Sequence, residues 1–198
     1  MKIYGSYTSP FVRHCRILLS ELQRCAKDKA RAAIDCEFIE TDLKASTTLS
    51  PTQKVPYLVD GDLILSDSSS IIKHLREISG QRFMSDIREY DLFCMVNTIL
   101  DATVNVFFIE RIDGLKPCDS QYLQRHQNRV ASALAEINQR TLPTTLPLGD
   151  GHIRLACYLD WALFRDRISL TGLNNLAAFL TRARAWDIFA STAPPQGA

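Results

Sequence analysis

Along the first eighty residues short extended runs alternate with helical periodicity, the pattern of an α/β unit. Lys2 to Gly5 predicts a first strand. Phe11, Cys15, Leu18, Leu19 and Leu22 then recur at helical spacing, so a helix starting near Pro10 presents one apolar stripe to a sheet. Its continuation, "QRCAKDKARAAI", is rich in helix formers and charge and predicts either an extension of that helix or a solvated spur. Cys36 to Glu40 predicts a second strand. In "VPYLVDGDLIL" the apolar runs Tyr57 to Val59 and Leu63 to Leu65 flank Asp60 and Gly61, a pair that tolerates positive φ, and this predicts a β-hairpin. "SDSSSIIKHLREI" sets polar N-cap residues ahead of Ile71, Ile72, Leu75 and Ile78, so a helix opens at Asp67 or Ser68 and Gly80 ends it.

From Ser85 onward the pattern is helical throughout, broken by Gly114 and Pro117, then Pro143, Pro147 and Gly149, then Gly172. The expected fold class is therefore α/β plus all-α, with an α/β domain over residues 1–80 and an all-helical domain over 86–198. The "APPQGA" tail is expected to be disordered.

Composition narrows the function classes. With 46% hydrophobic residues the 198-residue chain can bury a real core. The 23 basic and 22 acidic side chains are scattered, with no block of like charge to suit a phosphate backbone, so nucleic acid is not an expected partner. No apolar run is read as approaching the ~20 residues of a membrane span. Met1 to Tyr4 lacks a signal-peptide layout, so no membrane is expected and the expected location is the cytoplasm. The six cysteines form no C-x-x-C pair and no zinc-ligand spacing with histidine, so neither a metal nor a disulfide framework is expected.

Three stretches carry candidate chemistry, in this order: "TSPFVR" between a strand and a helix, "KVPYLV" at a strand start, and "LSDSSSII" at a helix start. Their order and spacing within one βα-then-ββα unit resemble the glutathione S-transferase superfamily. "GSYTSPFVR" and the C-terminal "LTRARAWDIFASTAPP" are similar to bacterial members whose N-terminus reads Ser-Pro-Phe-Val-Arg, and the likeness runs over nearly the whole chain. The resemblance implies a thioredoxin-like domain that binds glutathione and a helical-bundle domain that supplies a pocket for an electrophile. It also implies a homodimer, formed near Asp86 to Asp101.

Glutathione carries two carboxylates, an amine and a thiol, and so needs an anion pocket, a backbone partner and a thiolate stabiliser. The resemblance implies a cis Val55–Pro56 bond, with Val55 turned outward to pair with the cysteinyl part of the ligand as an added strand would. Asp67 and Ser68 match the acidic-Ser pair that grips the γ-glutamyl end; a helix start supplies free N–H groups, Ser68 a hydroxyl and Asp67 an acceptor for the amine. Plain capping by Asp67 or Ser66 is the competing reading. Lys54 is a candidate for the glycyl carboxylate, against an ordinary exposed loop lysine. Arg13 matches the family motif, and His14 stands where a basic residue is usual; both read as structural or solvated.

Ser9 and Val12 occupy the two cysteine positions of a Cys-Pro-aromatic-Cys redox motif, so exchange by the protein's own dithiol is excluded and chemistry on the ligand's thiol remains. Ser followed by Pro is also a standard helix opening. As thiolate partner Ser9 ranks first, Thr8 second and Tyr7 third. The functions this implies are transfer of the glutathione thiolate to an electrophile or reduction of a peroxide with it. The alternatives are a non-catalytic transferase-fold protein that binds transcription or translation machinery, and a glutathione-dependent isomerase. The isomerases carry a Ser-Ser-Cys turn, where Pro10 and Phe11 stand in this chain.

Two features depart from the family. Relatives open the core helix of the second domain with a Ser/Thr-x-x-Asp capping box, where Gly149 and His152 stand here, leaving Asp150 as a substitute cap. The Gln23 to Ile34 connection is longer than in relatives. For the electrophile pocket, Phe107, Phe108, Arg111, Tyr158, Trp161 and Phe164 are candidates, against the common role of aromatic stripes as core.

Overall fold

A computed structural model describes residues 1–28, 34–41 and 43–195. The chain divides into two compact units, Met1–Phe83 together with Ala185–Ala198, and Met84–Arg184.

The first unit runs β1 (Lys2–Gly5), α1 (Pro10–Asp28), β2 (Glu37–Glu40), α2 (Leu43–Leu49), β3 (Tyr57–Asp60), β4 (Leu63–Leu65) and α3 (Ser68–Ile78). The four strands pair in the order β2-β1-β3-β4. β1 and β2 are parallel, as a βαβ crossover requires, while β3 is antiparallel to both β1 and β4. The hairpin loop is Gly61 and Asp62, with Gly61 at φ 58°, where a glycine costs nothing.

α1 buries Val12, Cys15, Ile17, Leu18, Leu19 and Leu22, and α3 buries Ile71, Ile72 and Leu75; the two helices pack together, with Ile3 and Leu58 of the sheet in the same core. Gly5 lets the first turn of α1 close on β1: a Cβ there would stand 2.5 Å from a Val12 methyl. The helical extension through Gln23 is borne out as far as Asp28. The rest of the Gln23–Ile34 connection, apart from Ile34, and the last three residues of the tail lie outside the described residues. α2 was not expected: its Ser-Thr-Thr run has weak helix propensity, and the helix buries Ser46.

The second unit is helical: α4 (Ile87–Asp113), a 3-10 turn at Pro117–Asp119, α5 (Gln121–Gln139), α6 (Asp150–Phe164) and α7 (Asn174–Arg184). α4 corrects one expectation, because it is long and apolar enough to cross a membrane, with a window mean hydropathy of 1.8. Part of that apolarity serves packing: α4 buries Leu92, Phe93, Val96, Ile99 and Leu100 and packs on α5 and α6, while Ile87, Phe108 and Ile112 stay exposed. Within the unit, Thr103 and Tyr158 share a hydroxyl contact at 3.1 Å.

α8 (Asp187–Ser191) belongs to the first unit, whereas its helical periodicity had assigned it to the helical domain over 86–198. The reason is chemical: the buried Arg13 of α1 lies over the Phe189 ring at 3.9 Å and donates to the Phe189 carbonyl at 3.0 Å. A charged group in the interior must find such partners.

Candidate functional site

Strand register gathers the candidate residues of the first unit. Tyr4 near the end of β1 lies opposite Tyr57 at the start of β3, so the turn 6–9 and the Val55–Pro56 pair leave the sheet at one end. Leu65 at the end of β4 lies opposite Leu58, which brings residues 66–68 to that same end. Thr41, just beyond β2, joins them by donating its N–H to the Gly5 carbonyl at 3.0 Å.

The turn 6–9 is fixed by its own hydroxyls. Ser9 N–H donates to Ser6 O at 3.1 Å, and the Ser6 and Thr8 hydroxyls share a hydrogen bond of 3.0 Å. Ser9 Oγ accepts from Val12 N at 3.4 Å and so caps α1, whose first turn holds no acidic residue. That bond uses a lone pair and leaves the Ser9 O–H free to donate. Tyr7 packs against Phe38 of β2, with ring centroids 5.1 Å apart.

The Val55–Pro56 bond is cis, and Pro56 is buried. Tyr57 beside it stacks on Tyr4, with ring centroids 4.6 Å apart and planes 5° apart. Lys54 is exposed and follows Gln53, which adopts φ 54°. Asp67 is the N-cap of α3: its Oδ1 accepts from Ser69 N at 2.7 Å, and its carbonyl accepts from Ser70 Oγ at 2.8 Å. The capping reading of Asp67 is thus realised, with its carboxylate still exposed to solvent. Ser68 lies buried at the first position of the helix.

Ser50 and Thr52 were not among the candidates. Ser50 Oγ and Thr52 Oγ1 are 3.2 Å apart, and Thr52 Oγ1 donates to the Ser66 carbonyl at 3.4 Å, tying the segment before Lys54 to the residue before Asp67. The hydroxyls of "SPTQK" were the available signal. Arg16 was missed as well: its guanidinium lies 4.4 Å from the centroid of Tyr7 and 5.4 Å from that of Phe38. Burial holds this guanidinium below its ordinary pKa, with Tyr7 opposing that effect, Arg13 adding to it and Glu40 opposing it.

In the second unit, Tyr158 is fully buried and Trp161 nearly so, which makes them core. Burial pushes the Tyr158 phenol well above its ordinary range. Phe107 packs on Phe108 and Trp161, and Arg165 lies over the rings of Phe107 and Phe164. Phe108, Arg111 and Phe164 are exposed. Among the described residues no cluster of His, Cys, Asp and Glu could hold a metal ion.

Residues 3–83 match the family model described as the N-terminal domain of glutathione S-transferase. No curated protein matches the chain in sequence. Similar solved structures include a glutathione S-transferase of Methylobacillus flagellatus KT with glutathione bound, 21% identical, with a TM-score of 0.78 over 98% of this chain and 99% of that one. A glutathione transferase family member of Pseudomonas fluorescens Pf-5 with bound glutathione is 21% identical, with a TM-score of 0.76 over 98% of each chain. A bacterial maleylpyruvate isomerase, a zeta-class glutathione S-transferase, is 18% identical, with a TM-score of 0.75 over 100% of both chains. Residues 3–83 therefore match a glutathione S-transferase N-terminal domain in sequence, and the fold over nearly the whole chain is that of these solved structures.

Proposed function

We propose that this chain belongs to the glutathione S-transferase superfamily and is an enzyme that binds glutathione as substrate, stabilises its thiolate, and transfers it to a small electrophile or uses it to reduce a peroxide. The observation that carries the reading is the strand register that brings the turn 6–9, Val55–Pro56 and residues 66–68 to one end of the sheet. Each of these loops offers one thing a γ-glutamyl tripeptide thiol needs. Val55 offers main-chain hydrogen bonds of the kind an extended peptide makes along a strand. The start of α3 offers N–H groups and the Ser68 hydroxyl to the γ-glutamyl carboxylate, and the exposed oxygen of Asp67 accepts from its amine. Lys54 balances the glycyl carboxylate. At the start of α1 the Ser9 hydroxyl donates to the sulfur in a positive helix-end field, which favours thiolate over thiol.

The thiolate is the nucleophile. It attacks an electrophilic carbon and forms a carbon–sulfur bond while the electrophile's leaving group departs or its π bond accepts a proton. With a peroxide it attacks one oxygen, the O–O bond breaks and the other oxygen leaves as the alcohol or water after taking up a proton. The glutathione sulfenic acid so formed then condenses with the thiol of a second glutathione to give the disulfide and water. Isomerisation is the second reading, favoured by the full-length fold shared with maleylpyruvate isomerase. A homodimer and a reducing cytoplasm complete the proposal; the six free cysteines suit such a compartment.

A panel assay of conjugation, peroxide reduction, disulfide reduction and double-bond isomerisation at fixed glutathione tests the reading. Activity in the conjugation or peroxide arm is the expected result. Absence of both glutathione binding and turnover in every arm overturns it.

A further inference from the structure

Arg16 links the C-terminal segment to the turn that holds Tyr7, Thr8 and Ser9. It sits on α1 nearly two turns beyond Ser9, and its side chain joins two distant pieces of chain. Its Nη1 donates to the Thr192 carbonyl at 3.1 Å, 176 residues away, while the same guanidinium lies over the Tyr7 ring at 4.4 Å and near the Phe38 ring at 5.4 Å. Thr192 is itself held: it is buried, its hydroxyl donates to Phe189 O at 2.9 Å, and Arg13 Nε donates to that hydroxyl at 3.4 Å. A guanidinium is planar, so one face can stack on an aromatic ring while its edge donates in plane, which an ammonium cannot do. Tyr7 has contacts of its own with Phe38, but Arg16 is what carries its position through to the C-terminal segment.

Resting on the glutathione reading above, we propose that Arg16 is a positioning residue of the glutathione site. It fastens the turn 6–9 to the segment after Ala185, so that C-terminal residues far from the reacting thiol set the affinity for glutathione. Arg16 touches neither substrate nor reacting atom in this scheme; it acts through the Tyr7 ring. Three other charged or titratable groups act on it: Tyr7 in the turn 6–9, Arg13 on α1 itself and Glu40 at the end of β2. The arrangement therefore depends on packing three pieces of chain together, and losing any one loosens the turn.

Isothermal titration with glutathione on the full chain tests this, with Arg16→Met, Arg16→Lys, Tyr7→Leu and the Arg16→Met/Tyr7→Leu double variant, each also melted thermally. The expected result is a weakening of about tenfold in either single variant, since a stacked cation contributes energy of that order. The double variant is expected to be no worse than the worse single, because each change breaks the same link. Arg16→Lys, which keeps a cation over the ring and loses the in-plane bond, is expected to recover part of the loss. Unchanged affinity in both single variants, or strictly additive losses, overturns the inference. A lowered melting temperature with unchanged affinity does so as well, since that is the signature of a purely structural tie. Should Arg16→Met fail to fold, the Tyr7→Leu and Arg16→Lys titrations still decide. Failure of the unmodified chain to bind glutathione overturns the proposed function instead, and this inference with it.

Discussion

Glu89 of α4 caps α6 from outside: its Oε1 accepts the Gly151 N–H at 3.1 Å, at the second residue of that helix. A carboxylate placed there satisfies an orphan donor and complements the positive helix end, worth ~0.3–2 kcal/mol. It also explains why glycines stand at 149 and 151. A Cβ at Gly149 would lie 2.1 Å from Glu89 Oε1, and one at Gly151 would lie 2.7 Å from the Glu89 carbonyl oxygen. The capping box of relatives is thus replaced by a side chain from another helix, and Asp150, buried in the first turn, is not the N-cap.

Restoring the serine cap should therefore fail in the natural background. Gly149→Ser is expected to leave stability unchanged or lower it, because the new side chain displaces the Glu89 carboxylate. Combined with Glu89→Ala it should recover ~1 kcal/mol relative to Glu89→Ala alone. Gly151→Ala meets backbone and should cost ~1–3 kcal/mol. Urea melts of the set check this; a stabilising single Gly149→Ser would show that Glu89 is not the cap.

Acid should destabilise the helical unit through two histidines. Burial, only partly offset by Glu89, lowers the pKa of His152; burial together with Arg129 and Arg125 lowers that of His126. A folded-state pKa below the unfolded value of ~6.5 means the unfolded chain binds more protons as pH falls through that region. Stability is therefore present above ~6.5 and is lost on acidification until the folded pKa is passed. The paired His126→Gln, His152→Gln variant should lose less melting temperature than the natural chain between about pH 7.5 and pH 5.5. Equal losses would refute the assignment.

Glutathione retention should depend on the start of α3. Asp67→Ala and Ser68→Ala are each expected to weaken retention on immobilised glutathione by ~1–3 kcal/mol, the range for charge-assisted hydrogen bonds. Because Asp67 also caps the helix through Ser69 N, its removal should lower the melting temperature as well. Retention of the double variant at the natural level would remove this pair from the site.

What could be read in the sequence was local. Lys2–Gly5, the Tyr57–Leu65 hairpin and the Asp67 cap each follow from neighbours a few residues away, and the structure has all three. What escaped was set by distance along the chain. Glu89 reaches Gly151 across 62 residues, so the sequence around Gly149 shows only a missing cap. Arg13 meets Phe189 across 176 residues, so helical periodicity alone assigned α8 to the wrong unit. α2 was missed because the Ser-Thr-Thr run is indifferent to helix formation. Of the site, the residue types of the three loops were legible; the Thr52 and Arg16 links were not, because each depends on a partner outside its own motif.

Ser9 is where capping and catalysis can be separated. Its Oγ accepts from Val12 N at 3.4 Å, so the cap is real, and a hydroxyl that accepts there still has its proton to donate. A thiol of pKa ~8.5 is only ~3% ionised at pH 7, and a fall of ~2 units makes it mostly thiolate, equivalent to ~2.7 kcal/mol of anion stabilisation. One hydroxyl donor at a helix end can supply much of that. Ser9→Ala should then do two things at once: cost ~1 kcal/mol of stability through the lost cap and raise the pKa of bound glutathione. Thr8→Ala breaks the contact with Ser6 Oγ and should leave the thiol's titration close to that of the natural chain. Thiolate absorbance against pH with glutathione bound, measured alongside thermal melts, reads both effects. If Ser9→Ala only melts earlier and titrates like the natural chain, Ser9 is a cap alone, and a shift in Thr8→Ala would move the thiolate's partner one residue back.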